Sequence, residues 1–440
     1  MLRKPIVLAV AAATALSLLT GCSGGDDNAD GKKSLKVAAF EGGYGRDMYL
    51  QVIEAYKAKH PDVDVQLQLS KTLEDEISPN MKAGKFPDVV VLPQGRKAAL
   101  AETLVKDKAL EDLTGVLDMT VPGEQVTVRS KLADGIVGNL STNPYNDDKT
   151  YLMPMYYAPT GLVYNKGLFA QKGWQVPTTW DDMFKLGDAA KAEGIALFTY
   201  PTAGYLDSFF FALLADVGGE QFYKDAMTYS EGVWKTAQAR QVLDITARLL
   251  SYAAKTTVGY ANEQDFTKNQ QSLLDNKTLF MPNGTWVVGE MKDAPRAQGF
   301  EWAMAPLPAV NTGGKRYLTT IVESAWVPSG AQNKDAAKDF VAYLYSDEAA
   351  GIFAKANAIQ PIKGIASTLP AEIAPFYQLY EDPSISALVG GFGSTAPVEG
   401  VNIKGTLFDT ANSIISGDKT VDQWQTALND ASEKLRQAGK

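Results

Sequence analysis

Cysteine and histidine are almost missing, since 440 residues hold one of each. Without a second thiol there is no disulfide framework, and one imidazole leaves zinc without its usual ligand set and Ser-His-Asp or Cys-His chemistry without partners. The lone ring, His60, ends a helical pattern immediately before Pro61, a structural or surface position. Positive charge is also short. Forty-two Lys and Arg stand against 51 Asp and Glu, a formal net charge of −9, which disfavours a polyanionic partner and so argues against nucleic acid. Long apolar runs are absent apart from Pro5 to Leu19, which is too short to span a bilayer comfortably. Acids are plentiful and could furnish the two carboxylates of a glycosidase, but no motif singles out a pair.

What is present begins with that run. Arg3 and Lys4 precede it, and Leu19-Thr20-Gly21-Cys22 closes it with small residues before the only thiol, similar to a bacterial lipobox. The expectation is a signal peptide over 1–21, cleavage, and diacylglyceryl modification of Cys22, which uses up the thiol; an ordinary signal peptide with an incidental cysteine, or an uncleaved anchor, is the alternative. Two acyl chains would hold the protein at the membrane far better than one. Residues 22–33 are small, polar and charged and read as a flexible tether. Gly21 to Gly25 spells G-x-S-x-G by accident, because a nucleophile elbow needs a strand before it and a helix after it.

From Ser34 an α/β pattern begins. Leu35 to Phe40 is an apolar strand, Asp47 to His60 has helical spacing, Val63 to Leu69 alternates strictly as a half-buried strand, and Thr72 to Ala83 is a polar helix. Val89 to Leu92 then has the continuous apolar character of a central parallel strand. Order βαβαβ implies a doubly wound sheet, which binds ligands beyond the carboxyl ends of its strands, here Glu41-Gly42-Gly43-Tyr44-Gly45 and Pro93-Gln94-Gly95. The glycines fit neither a dinucleotide fingerprint, whose last glycine is replaced by Met48, nor a Walker loop.

Tyr151 to Trp180 reads as a crossing to a second such unit. Prolines at 154 and 159 forbid helix and predict extended backbone carrying exposed aromatics. Gly161 to Tyr164 is a short strand, Asn165-Lys166-Gly167 a turn, and Thr179 an N-cap with Asp182 three residues on. Trp180 to Glu193, Ile195 to Tyr200 and an apolar helix from Leu206, ended by Gly218-Gly219, repeat the first plan. Thr278 to Met281 is a strand whose following turn, Pro282 to Thr285, presents Trp286. Extended passages at Ala305 to Val310 and Asn357 to Pro361 read as further crossings, and Gly390 to Gly400 as a flexible loop.

The lipobox, Gly84-Lys85-Phe86-Pro87-Asp88-Val89, Tyr164-Asn165-Lys166, Pro177-Thr178-Thr179-Trp180-Asp181, Asn283-Gly284-Thr285-Trp286, Pro306-Leu307-Pro308 and the Ala336 to Ser346 helix, taken in order, resemble the family 1 extracellular solute-binding proteins of carbohydrate ABC transporters. Glu41 to Gly45 and Met291 to Val310 are similar to the actinobacterial subgroup for N-acetylglucosamine and chitobiose, whose relatives also take milk-type oligosaccharides. The resemblance implies a type II periplasmic-binding-protein-like α/β fold, with lobes at 34–152 plus 311–358 and 153–310 plus 359–440. It implies a non-enzymatic, monomeric receptor without metal or cofactor, on the extracellular face of the membrane, that delivers a di- to tetrasaccharide to a permease. The sugar would meet Glu41, Tyr44, Gln94, Tyr205, Asp207, Asn283 and Trp286, with Glu323, Phe392 and Lys404 as further contacts. A secreted carbohydrate hydrolase, or a receptor of the same fold for a peptide or polyamine, is the alternative.

Overall fold

The computed structural model describes residues 33–438, apart from 43, 95, 97, 99, 134, 135, 140, 146, 312, 394, 396 and 397. The leader, Cys22 and the tether to residue 32 lie outside the described residues, as do Gly43, Gly95 and part of the 390–400 loop.

Nine strands are hydrogen-bonded into one sheet system. They are β1 (Lys33–Phe40), β2 (Val63–Ser70), β3 (Val89–Pro93), β4 (Met153–Asn165), β5 (Ala196–Phe198), β6 (Thr278–Gly284), β7 (Trp302–Ala305), β8 (Arg316–Trp326) and β9 (Ile385–Leu388). The main path runs β2-β1-β3-β8-β4-β6-β5, with β7 on β4 and β9 on β8. β1 pairs in parallel with both β2 and β3, the arrangement that helical crossovers impose. Those crossovers are the helices Asp47–Lys59 and Leu73–Lys82, the second carrying Pro79 inside it.

Two long strands join the halves. The first part of β4, Met153 to Pro159, pairs with β8, whereas Thr160 to Asn165 pairs with β6 and β7. β8 changes neighbours likewise, from β9 at Arg316 to Thr319 to β3 at Glu323 to Trp326. This corrects the expectation of exposed aromatics. All thirteen residues of β4 are buried, with Tyr156 and Tyr157 only 1% and 5% exposed. Prolines 154 and 159 do exclude helix, but the extended chain they enforce is clasped between strands, and Tyr156 meets Phe353 edge to face at 5.1 Å. Asn165-Lys166-Gly167 is not a free turn. Asn165 ends β4 and its Oδ1 accepts the Gly167 N–H at 3.0 Å, capping the helix Lys166–Lys172.

Beyond the crossing, Thr179 caps the helix Trp180–Ala192 by accepting from the Asp182 N–H at 3.2 Å. The apolar helix runs past Gly218-Gly219 to Met227, kinked at Gly219, where φ is 79° and ψ 174°. Only glycine takes that conformation without strain, so the dipeptide ends the first helical segment as expected, and a second segment carries on to Met227. One core gathers Val37, Val52, Tyr56, Val91, Phe340 and Phe353 around β1 and β3. A second gathers Phe198, Phe210, Leu213, Trp234, Leu243 and Trp424 around the kinked helix. A small third core, with Leu73, Ile77, Leu92 and Trp326, covers the other face of the first strands.

Candidate functional site

Because β1 and β3 run in parallel register, with Ala39 opposite Val91, their carboxyl ends emerge side by side. Glu41 and Tyr44 follow the first, Gln94 and Arg96 the second. Glu323 on β8 is level with Pro93 and Tyr156, which brings it to the same edge. Gln94 is held there, donating through Nε2 to the Ser141 carbonyl at 2.9 Å and to Ser324 Oγ at 3.2 Å. Arg96 sits over Phe40, its guanidinium carbon 3.8 Å from the ring centre, and pairs with Glu74 at 2.5 Å. Glu41 keeps a looser partner, Arg46, at 4.0 Å.

Burial pushes the Glu323 carboxyl up to about 7, against the pull of nearby Arg96. Burial raises the Tyr44 phenol too, with the Glu323 charge adding to it. Tyr44 meets Tyr156 edge to face at 5.6 Å, so this wall is a tyrosine bed around one carboxyl.

The facing wall comes from the second half of the chain. A short turn, Ala203–Tyr205, leads into the kinked helix, placing Tyr205 and Asp207 at its start. Burial pushes Asp207 up to about 6, while the Ser208 N–H and Lys404 favour its charged form. Trp286 follows β6 and meets Tyr205 edge to face, centroids 6.3 Å apart at 60°. The Tyr205 hydroxyl points at Glu290 Oε1, 3.5 Å away, and Glu290 Oε2 accepts from Gln270 Nε2 at 2.7 Å. Burial first, and the Glu290 charge next, push the Tyr205 phenol up to about 12.

Phe392 stacks on Tyr229 with planes 6° apart and centroids at 6.0 Å, and Phe211 closes on its edge at 5.8 Å. Tyr229 occupies a left-handed φ of 60° just past the helix end, with the next N–H, that of Ser230, returning to the Asp225 carbonyl at 2.9 Å. Glycine or asparagine is usual there. Here the turn aims the phenol at the Gly393 carbonyl, 2.7 Å away. A cavity of about 320 Å³ is lined by Arg96 and Glu102 from the first half of the chain and by Tyr229, Phe392, Asn402 and Lys404 from the second; of the expected residues, Phe392 and Lys404 line it and the other eight do not.

Most of the expected residues fall into two groups, one in each half of the chain. Glu41, Tyr44, Gln94 and Glu323 collect on the first wall, and Tyr205, Asp207, Trp286, Phe392 and Lys404 on the second. Asn283 differs, being 1% exposed inside β6, opposite Gly161, with its Oδ1 accepting the Gly284 N–H at 2.8 Å. The expected turn begins later, at Thr285, because β6 runs on through Gly284. Arg96, Glu102, Tyr229 and Glu290 escaped the sequence reading. Arg96 was within its reach, two residues beyond Gln94 at a strand end. Tyr229 was not, because its partner lies 163 residues away.

Among the described residues no group of three or more His, Cys, Asp or Glu is placed to hold a metal ion, and no helix is long and apolar enough to cross a membrane.

The architecture is thus two α/β halves joined by strands that change partners, with polar and aromatic side chains gathered at the strand ends of each half. The chain belongs to the bacterial extracellular solute-binding protein family, which it matches over residues 43–351. It is a binding protein and not an enzyme. It is 24% identical over 436 residues, covering 92% of this chain and 85% of the relative, to the diacetylchitobiose binding protein NgcE of Streptomyces coelicolor. To the melibiose/raffinose/stachyose-binding protein MelE of Bacillus subtilis it is 23% identical, covering 84% of each. Among solved structures, the bacterial solute receptor AcbH superposes with a TM-score of 0.72 at 17% identity, covering 92% of this chain and 98% of that one. The apo form of RafE from Streptococcus pneumoniae superposes with 0.70 at 19% identity, over 93% and 100%.

Proposed function

We propose that this protein is the receptor of a carbohydrate ABC transporter, taking an oligosaccharide into the cleft and handing it to the permease. The observation that carries this reading is that aromatic Phe392 and Tyr229 line one cavity with the cations Arg96 and Lys404 and with Glu102 and Asn402, while Trp286 and Tyr205 meet edge to face in the same half as Asp207. A pyranose has apolar C–H faces and a hydroxyl rim, so it asks for both kinds of group at once. A peptide would instead use sheet edges or carboxylate nests. Similarity to a diacetylchitobiose-binding relative puts sugars of N-acetylglucosamine first, ahead of milk-type di- to tetrasaccharides.

The lobes of this receptor are 34–152 with 311–358 and 153–310 with 359–440, with β4 and β8 as the hinge strands. Asn283 acts from behind, holding the end of β6, while the other nine expected residues face the ligand. The receptor is a monomer tethered outside the membrane by lipid on Cys22.

A thermal-shift screen over N,N′-diacetylchitobiose, lactose-based oligosaccharides, raffinose, peptides and polyamines tests the ligand class. Stabilisation by at least one sugar and by no peptide or polyamine is expected; the reverse pattern would overturn the reading. For the anchor, Cys22→Ser should release the protein into the medium with sugar binding intact. A variant that stayed in the membrane fraction as firmly as the native chain would remove the lipid from the proposal.

A further inference from the structure

Gly284 ends β6 in register with Thr160. Its φ lies outside the left-handed region, so the backbone there suits any residue. Space is the reason for glycine. A Cβ built on Gly284 would stand 2.1, 2.2 and 2.5 Å from Cζ3, Cη2 and Cε3 of Trp286. The six-membered ring of the indole thus lies directly on the Gly284 backbone, closer than any side chain would allow. Its edge is blocked as well, by Tyr205 at 6.3 Å, whose hydroxyl faces Glu290, which Gln270 holds from below. Gln270 is fully buried. The indole is therefore seated from beneath and stopped at one side, with its remaining surface partly open.

We infer that Gly284 is a positioning residue whose missing side chain seats Trp286, so that the indole plane is fixed before ligand arrives. The inference rests on the proposal that Trp286 is a sugar platform. A platform fixed in advance loses less conformational entropy on binding than one that must be ordered by its ligand. Glycine at 284 would then act on affinity through Trp286 alone, without touching the sugar.

The test begins without ligand. Seven tryptophans labelled with 5-fluorotryptophan give separate ¹⁹F resonances, and Trp286→Phe identifies the one from Trp286. Gly284→Ala is expected to move that resonance and leave the others in place. It should also weaken binding of the sugar that the thermal-shift screen selects by about tenfold, yet have little effect in a Trp286→Ala background, since coupled residues are non-additive. Should Gly284→Ala fold poorly, Gly284→Ala with Trp286→Ala recovers the melting temperature of Trp286→Ala alone, because the new methyl then has room. An unmoved Trp286 resonance, or equal losses of affinity with and without the indole, overturns the seat. If instead the resonance moves while Trp286→Ala binds sugar like the native protein, the seat stands and the platform reading fails.

Discussion

A micromolar sugar receptor has only about −8 kcal/mol to distribute over its contacts, so one stacked indole is a large share. Taking apolar area at about 25 cal/mol per Å², with an aromatic bonus of order 1 kcal/mol, Trp286 would supply roughly 2 kcal/mol. Trp286→Ala should therefore weaken binding about thirtyfold, and Trp286→Phe should keep part of the affinity. The residue is half-buried, so calorimetry should register the loss while the melting temperature moves little. A core tryptophan would show the opposite, a loss of about 3 to 5 kcal/mol of stability. The two cleft carboxyls make a second residue-scale prediction. Glu323 is raised from 4.5 to about 7 and Asp207 from 3.8 to about 6, both chiefly by burial. Between their unfolded and folded values the native protein binds the extra protons, so this contribution to stability is full at low pH and disappears as pH rises through about 7. Melting of the ligand-free protein should fall from about pH 5 to about pH 8, and Glu323→Gln, neutral throughout, should flatten that fall. Equal slopes in both proteins would show that Glu323 is not the group responsible. Part of the candidate site could be picked out because strand ends announce themselves: Glu41, Tyr44 and Gln94 each follow an apolar run. Arg96 shares the strand end of Gln94 and could have been read with it, whereas Glu102 and Tyr229 enter by tertiary placement, to which no periodicity points.

Elements were read well where the signal was local. The Thr179 cap needs only its own next three residues, and the strands β1, β2 and β3 emerge within a residue or two of where alternation or apolar continuity placed them. Failures share one cause, the partner supplied from far along the chain. Tyr156 and Tyr157 look like exposed aromatics beside prolines, yet β8, more than 150 residues later, covers them, and the Tyr157 N–H reaches the Ile359 carbonyl at 2.9 Å. The Tyr157 carbonyl accepts from the Tyr377 hydroxyl at 3.0 Å, and that of Pro154 from Tyr345 at 2.9 Å. A strand satisfied in this way by side chains as well as by neighbours can be wholly buried. Gly218-Gly219 belongs with the local successes: the pair signals a helix end, and at Gly219 the backbone leaves the helical region before a second segment begins.

At the scale of the whole molecule the prediction is motion. β4 and β8 are the continuous covalent links on which both halves of the sheet are built, and each changes partners midway, so a bend at Pro159-Thr160 and at Thr319-Thr320 would alter the angle between halves while leaving each half's pairing intact. If, as proposed, a sugar touches Glu323 and Tyr44 in one half and Asp207 and Trp286 in the other, it would make more contacts when the halves approach. Ligand can shift the equilibrium only by that difference in affinity, and moving a population from mostly open to mostly closed requires several kcal/mol of it. Small-angle scattering should accordingly show a smaller radius of gyration at saturating sugar than without it. Trp286→Ala, which removes contact from one wall alone, should need more sugar to reach the same compact form, because the closed state has lost part of its advantage. A radius that stays constant through saturation, in a protein that calorimetry shows to be fully bound, would mean that the two walls already stand at their binding distance and that β4 and β8 do not act as hinges.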